Sequence, residues 1–379
     1  MTNLKILHLS DGIIKDFRIL KSALTGKKAD YKIFFCGERP KGDFSNDIFD
    51  DVNWINISNR VRVSELLFPA LNEFWPFYPY PKHALFLQKQ IKSAIEKIRP
   101  DIIHAHNIFV AYHALPFGIP LVLDDHELYS IEVKAKNQNA NIKKKLISRL
   151  KSRLWKKWEQ IIGEKYPIIT VSKKISEHHR KYCKNVYEVP NYPEKDSIKI
   201  KNFNGATKNN LCSVYLGQDS VKNKNPIRNI HGLHDIFYSK KVGKLKRIGV
   251  SSPNDSTIQS CGYIPMQDAY QIMQKQCHIG LLPWHPFWFH EYCCPNKVYE
   301  YAHNGLWLIT AADLKQVVDD FGENCDKFDS YDELISLLEY YNNNSEDLNK
   351  KRHKILDFAR ENLIWEKNEN KILSAYKKA

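Results

Sequence analysis

The sequence predicts an α/β chain of two similar domains in tandem, each built on a parallel sheet, facing each other across a cleft. Three observations carry that expectation. Short apolar runs alternate with helix-like segments through the first half, a two-proline stretch interrupts the series near residue 190, and the alternation then starts again. Strands separated by helices imply crossovers and hence parallel pairing. A length of 379 residues fits two domains of roughly 150 residues each. The expected domains are 1–190 and 191–362, with a last helix, 363–379, packing back on the first.

Taken in order, LKILHLS (4–10) is a short strand opening into the loop DGIIKD, which holds Asp11 and Gly12. FRILKSALTG (17–26) has helical spacing and a terminal glycine, and YKIFFCG (31–37) is again strand-like. DIIHAHN (101–107), PLVLDDHE (120–127) and PIITVS (167–172) are further apolar runs that close on polar residues. Ligands bind such sheets in the loops after the strands' carboxyl ends, which selects His106, Asn107, His126 and Glu127 as candidates. VPNYPEKDS (189–197) reads as a linker. Beyond it come LCSVYLG (211–217), a helix near 226–238, LKRIGV (245–250), a helix near 265–276 and HIGLLPW (278–284). A helix over 295–304, the strand LWLITA (306–311), a helix near 331–341 and an amphipathic helical stretch 361–378 complete the series.

Bulk composition narrows the function. With 43% hydrophobic and 12% aromatic residues the chain can bury sizeable cores. Its apolar runs fall short of the roughly 18–20 residues that span a bilayer. Eight cysteines without a CxxC pair argue against a zinc ribbon or redox motif and suit reduced thiols in cytoplasm. The net charge of +14 points to anionic partners: nucleic acid, a membrane surface or a phosphorylated small molecule. The excess is uneven, with eight Lys or Arg and no acid between Lys143 and Lys157.

The most informative stretch is CCPNKVYEYAHNGLWLI (293–309). Proline suits a helix's first turn and Asn304-Gly305 a helix stop. A helix starting at Pro295 sets Asn296, Lys297 and Glu300 on one face near its N-terminus. Free N–H groups and the dipole there favour a phosphate, Lys297 adds charge, and Glu300 can accept from paired hydroxyls. A capped helix with Lys297 and Glu300 in solvent fits the same spacing.

PNKVYEYAHNGLWLI resembles the PNKxxEYxAxGxPVI segment of family-4 glycosyltransferases, which have the GT-B fold of two Rossmann-like domains. DIIHAHN is similar to that family's DxxHxH(D/N) strand, and LVLDDHELYS to its xVxDxHExxx segment. The stretches ITVSKKISEHHRKYC, VYLGQDSVKNKNPIRNIHGLHDIF and GYIPMQDAYQIMQKQCHIGLLP follow in the family's order, so the resemblance covers nearly the whole chain. It implies transfer of a sugar from a nucleotide donor, UDP- or GDP-linked, with retention of configuration, no cofactor and no obligatory metal. Glu300 would hold the donor ribose, with Asn296 and Lys297 near the diphosphate and Pro295 and Gly217 also among the donor-binding residues. Arg228 matches a basic residue that neutralises the departing diphosphate, and charge stabilisation is a principal task of such a site. His126 matches a histidine near the reacting sugar, and Asp11 and Gly12 face donor or acceptor. The pattern also departs from the family. Relatives carry a second glutamate eight positions before the one matching Glu300. That position is Tyr292 here, and Glu291 is one residue out of register. Gln218 stands where some relatives place arginine, and only Gly12 remains of a glycine cluster.

Other features admit two readings. His104 and His106 are expected on opposite sides of their strand, with His106 nearer the cleft. Asp124 and Asp125, as neighbours, point to opposite faces, so no metal site is expected. Cys293-Cys294 reads as packing. NIKKKLISRLKSRLWKKWEQIIG (141–163) places Ile142, Leu146, Leu150, Leu154, Trp158 and Ile161 on one stripe among basic residues. It can pack on its own domain, lie on an anionic membrane, or do both through opposite sides. FPALNEFWPFYPYPKH (68–83) and WHPFWFHEYCC (284–294) supply aromatic faces for a sugar, a lipid or a core. The expected partners are a nucleotide sugar, a glycan or lipid-linked acceptor and an anionic membrane touched through 141–158, at the inner membrane face. A degenerate GT-B binding protein and a basic nucleic-acid binder are the rival classes, the second without a supporting motif.

Overall fold

The computed structural model describes residues 4–40, 47–56, 86–200, 202–217, 226–240, 242–250 and 255–379. The aromatic stretch 68–83 and Gln218 lie outside them. The chain divides into two compact units, 1–190 with 368–379, and 191–367.

The first unit is a seven-stranded sheet in the order β3-β2-β1-β4-β5-β6-β7. Its strands are β1 (Lys5–Ile13), β2 (Lys32–Glu38), β3 (Asp51–Ile55), β4 (Ile102–His106), β5 (Leu121–Asp125), β6 (Ile168–Thr170) and β7 (Val186–Glu188). All neighbours pair in parallel. The helices are α1 (Phe17–Lys28), α2 (Phe86–Ile98), α3 (Ile108–Ala114), α4 (Tyr129–Lys136), α5 (Ile142–Gly163) and α6 (Lys173–His179). The period of two splits each strand between two faces. Leu7, Leu9, Ile103, Ala105, Leu121 and Leu123 pack with Leu87 and Ile91 of α2 and Leu154 and Trp158 of α5 in one apolar cluster. The alternate residues His8, His104, His106 and Asp124 are buried too, and they meet Arg18 of α1.

The second unit is a six-stranded parallel sheet, β10-β9-β8-β11-β12-β13. It comprises β8 (Cys212–Leu216), β9 (Lys244–Ile248), β10 (Ile258–Ser260), β11 (Ile279–Leu282), β12 (Trp307–Ala311) and β13 (Cys325–Phe328). Its helices are α7 (Leu233–Lys240), α8 (Met266–Gln276), α9 (Asn296–His303), α10 (Lys315–Phe321), α11 (Tyr331–Asn343) and α12 (Ser345–Asn362). Arg352 of α12 is fully buried. It donates to the carbonyls of Gly305 and Asn204, each at 2.7 Å, and so ties the helix to two loops. The last helix, α13 (Glu369–Lys378), touches α1, β6 and β7 of the first unit.

The structure corrects four expectations. Asp11 and Gly12 belong to the end of β1, where pairing resumes at Ile13 with Glu38 after a register shift, and not to a loop. The helix expected near 226–238 is a short turn, Pro226–Arg228, followed by α7 from Leu233. The stretch 361–378 is not one helix: Trp365 is buried, and its N–H donates to the Pro193 carbonyl, which takes the chain out of helical register between α12 and α13. His104 and His106 share one face of β4, their rings stacked at 4.4 Å, because residues two apart on a strand point the same way.

Candidate active site

In the first unit the candidates converge on Asp124. Its carboxylate accepts from Arg18 through Nη2 at 2.7 Å and Nε at 3.0 Å, and the same guanidinium donates to the Val189 carbonyl at 2.8 Å. Three imidazoles face Asp124 Oδ2: His104 Nε2 at 3.3 Å, His126 Nε2 at 3.4 Å and His106 Nδ1 at 3.7 Å. Burial by itself would raise the Asp124 carboxyl, but Arg18 and His126 outweigh it and hold the group well below the usual carboxylate range. Burial lowers His8, His104 and His106, all three against the pull of Asp124, so these rings are neutral at neutral pH. His8 Nδ1 lies 2.9 Å from His106 Nε2, and His104 Nδ1 lies 2.7 Å from the Tyr376 hydroxyl of α13. His126 keeps 21% of its side chain exposed, whereas His106 is buried beneath it, 3.4 Å from its Nε2. Of the two rings, His126 is the one open to solvent.

Asn107 follows directly. Its φ of 119° is unusual for a residue with a Cβ, a strain that persists only where the surroundings fix it. Here Oδ1 accepts from the N–H groups of Phe109 and Val110, capping α3, while Nδ2 donates to Asp11 Oδ1. Gly12 sits beside Asp11, its N–H donating to Ser10 Oγ at 2.9 Å. Asp125 turns to the other face and meets His179 Nε2 at 2.7 Å. Burial pushes that carboxyl up to about 8 and the imidazole down to about 4. The ligand atoms of His8, His104 and His106 lie within 4.8 Å of one another, as do those of His106, Asp124 and His126. A cation would have to draw on these groups. However, the His104 and His106 rings lie 16° from parallel, so their lone pairs run side by side rather than converging, and Asp124 is already held by Arg18.

In the second unit the site forms around Lys297. Pro295 is the N-cap of α9 (φ −70°, ψ 123°), and the helix proper starts at Asn296. In the first turn the Val298 N–H donates to the Pro295 carbonyl at 3.4 Å, while those of Asn296 and Lys297 precede the helix's own acceptors. Lys297 Nζ lies over the ring of Tyr215 at 4.7 Å and that of Trp284 at 5.5 Å. Tyr301, one turn on, accepts from the Leu216 N–H at 2.7 Å and so fixes the end of β8 against α9. The next residue, Gly217, has φ of 133°, a conformation that calls for glycine, and Lys297 Nζ lies close over its Cα. Desolvation first, and then Arg228 and Arg247, pull the Lys297 ammonium down to about 7 against the opposing effect of Glu300. Arg228 is exposed on its turn and Glu300 is half-buried. Glu291 is half-buried on the turn Trp288–Tyr292, and the Tyr292 ring stacks on Phe289.

Sequence reasoning missed four groups. Arg18, Tyr376 and His8 complete the Asp124 network. Arg247, fully buried on β9 with its guanidinium 5.2 Å from the Tyr215 ring, is the fourth. Adjacent Lys246 and Arg247 in a strand were a readable signal, since one of two neighbours must face inward. His8, alternating with Leu7 and Leu9, was another.

Residues 54–191 match the model of the family described as Glycosyltransferase Family 4. No curated protein matches significantly. Among solved structures, sucrose-phosphate synthase from Thermosynechococcus elongatus is 12% identical over 99% of this chain and 98% of its own, with a TM-score of 0.67. Anabaena HepE in complex with UDP is 12% identical over 99% and 100%, with a TM-score of 0.63. Its complex with UDP-glucose is 11% identical over 100% of both chains, with a TM-score of 0.62. At such identities the likeness is one of fold. Residues 54–191 thus match glycosyltransferase family 4, and the pair of parallel sheets has the GT-B fold of these solved structures.

Proposed function

We propose that the protein transfers a sugar from a UDP- or GDP-linked donor to a glycan or lipid-linked acceptor, with retention and without a metal, at the cytoplasmic face of a membrane. Surface polysaccharide or glycoconjugate synthesis is the process that such a product serves. The observation that carries this reading is the Lys297 cluster, where Lys297, Arg228 and Arg247 gather around a helix start and a glycine with φ of 133°. Cations, first-turn N–H groups and a backbone without Cβ are what a diphosphate needs. In this reading the second unit holds the donor: Glu300 takes the ribose hydroxyls, Asn296 and Pro295 border the diphosphate, and Glu291 reaches the sugar. Lys297 and Arg228 stabilise the charge that grows on the diphosphate as the glycosidic bond breaks. The first unit serves the acceptor: His126 contacts the reacting sugar, and Asp11, Gly12 and Asn107 line the approach. The incoming hydroxyl attacks from the face the diphosphate leaves and yields its proton to a diphosphate oxygen. The structures of HepE with UDP and UDP-glucose favour a uridine donor.

The membrane part of the reading rests on α5. Among the described residues no helix is long and apolar enough to cross a bilayer. Yet Ile142 (85%), Leu146 (57%), Ile147 (44%) and Leu150 (38%) are exposed, whereas Leu154 and Trp158 of the same helix are buried. The first half of the stripe thus faces outward among Lys143, Lys144, Lys145 and Arg149, the composition of a helix that lies on anionic lipid.

One experiment tests both parts: thermal shift and transfer with UDP-, GDP-, ADP- and CMP-sugars, without vesicles, with phosphatidylglycerol vesicles and with phosphatidylcholine vesicles. A shift with one nucleotide class and salt-sensitive binding to the anionic vesicles alone are expected. A flat response to every donor overturns the transferase reading. Donor binding with neither transfer nor hydrolysis leaves a binding protein, in line with the missing carboxylate at Tyr292. Equal binding to both lipids overturns the electrostatic one.

A further inference from the structure

We infer that Tyr376, carried by the last helix, is a positioning residue for His126, acting through His104 and Asp124 to keep a proton on His126 Nε2. The inference rests on the reading of His126 as a group at the reacting sugar. An ionised carboxylate only accepts hydrogen bonds. His104 Nε2 and His126 Nε2, at 3.3 and 3.4 Å from Asp124 Oδ2, are therefore both N–H donors. Neutral His104 then has a bare Nδ1, which needs a donor in a dry interior, and the Tyr376 hydroxyl lies 2.7 Å away. Burial and the nearby Asp124 hold that phenol well above its usual range, so it keeps its proton to give.

The link matters because His126 has a competitor. His106 Nδ1 lies 3.7 Å from the same carboxylate oxygen and 3.4 Å from His126 Nε2. With His104 anchored from behind by Tyr376, and Arg18 on Oδ1 through Nη2 and astride both oxygens through Nε, Asp124 is held from turning toward His106. Without the hydroxyl, His104 is free to rotate, the carboxylate follows, and His106 takes the oxygen with its own Nδ1–H. His126 then loses the acceptor that fixes its proton. Residues 191–367 lie between His126 and Tyr376 in sequence, so the chain completes this network only with its last helix.

The test is 15N NMR of the histidine rings in the full chain, wild type and Tyr376→Phe, beside steady-state transfer. The phenyl ring keeps its edge contact with Tyr31, 6.2 Å between centroids, so the variant retains its packing. Should it not fold, His104→Asn breaks the same link from the other side. The wild type is expected to show His126 protonated at Nε2. In the variant a tautomer mixture is expected, with kcat down about tenfold, part of the 10²–10⁴ that a positioned acid–base group supplies, and donor KM unchanged. Protonation of wild-type His126 at Nδ1 alone overturns the inference. So does an unchanged His126 tautomer in the variant, whether or not kcat falls, because Tyr376 is then packing alone. His126→Ala separates the two levels: transfer at the wild-type rate removes the catalytic role of His126 and leaves the NMR result standing.

Discussion

The two units bury charge in opposite ways. In the first, the ionised Asp124 is met by Arg18 and by imidazole N–H groups, and the surrounding His8, His104 and His106 are kept neutral. In the second, Lys297 and Arg247 flank the Tyr215 ring from 4.7 and 5.2 Å, with Arg228 near and Glu300 as the opposing charge. The first arrangement is closed: its charges balance without a ligand. The second carries more positive than negative charge and pulls its lysine down to about 7. A closed network positions a group, whereas an open one binds, and that contrast sets what each substitution should do.

The largest effect is expected from opening the closed network. Arg18→Met leaves the Asp124 carboxylate buried without its cation, a change that costs about 3–5 kcal/mol. Urea unfolding should show it, and a midpoint within error of wild type would break the contrast. Stability supplied by Asp124 is present above its ordinary pKa of 3.8 and is lost as pH falls below it, because its folded value lies lower still. Removing the open site's lysine should do the reverse. Lys297→Ala relieves a desolvated cation, so the fold should hold or gain while transfer falls about 10²–10³-fold, the loss typical of one stabilising donor at a developing charge. Wild-type kcat/KM in that variant, measured with the donor that shifts the melting temperature, would remove Lys297 from the site.

The same contrast explains what the sequence made legible. The alternation of apolar runs disclosed both sheets, because burial on two faces writes itself into each strand. PNKVYEY disclosed the start of α9, because cap, charge and stop are local features. The Asp124 network was not legible as a network. It joins positions 8, 18, 104, 124 and 376, and no local pattern ties α13 to β4. Placing His104 and His106 on opposite faces hid it further, although the strand period of two already stacked them. Arg247 was passed over as one of a basic pair, and only the register Tyr215 with Arg247 shows that it faces the aromatic ring beneath Lys297.

The smallest expected effect is also the sharpest test of the open site. The groups facing Lys297 are Arg228 on its turn, Arg247 and Tyr215 from the sheet, Trp284 after β11 and Glu300 on its own helix. With its ammonium near 7 in the free protein and a dianionic diphosphate raising it, donor binding takes up a proton above that pH. Affinity should therefore be flat below about pH 7 and fall as pH rises through it, by up to about tenfold per unit. Folding shows the matching sign. Between about 7 and the ordinary 10.5 the unfolded chain binds more protons, so stability rises with pH across that window and is level below it. Arg247→Gln removes one of the cations that depress Lys297, so the pH at which affinity begins to fall should move upward and proton uptake near pH 8 should shrink. Calorimetry of donor binding in two buffers of different ionisation enthalpy reads that uptake directly. Equal uptake in wild type and variant would mean that Arg247 serves the strand alone, and no uptake in either would mean that Lys297 is already an ordinary, charged lysine before the donor arrives.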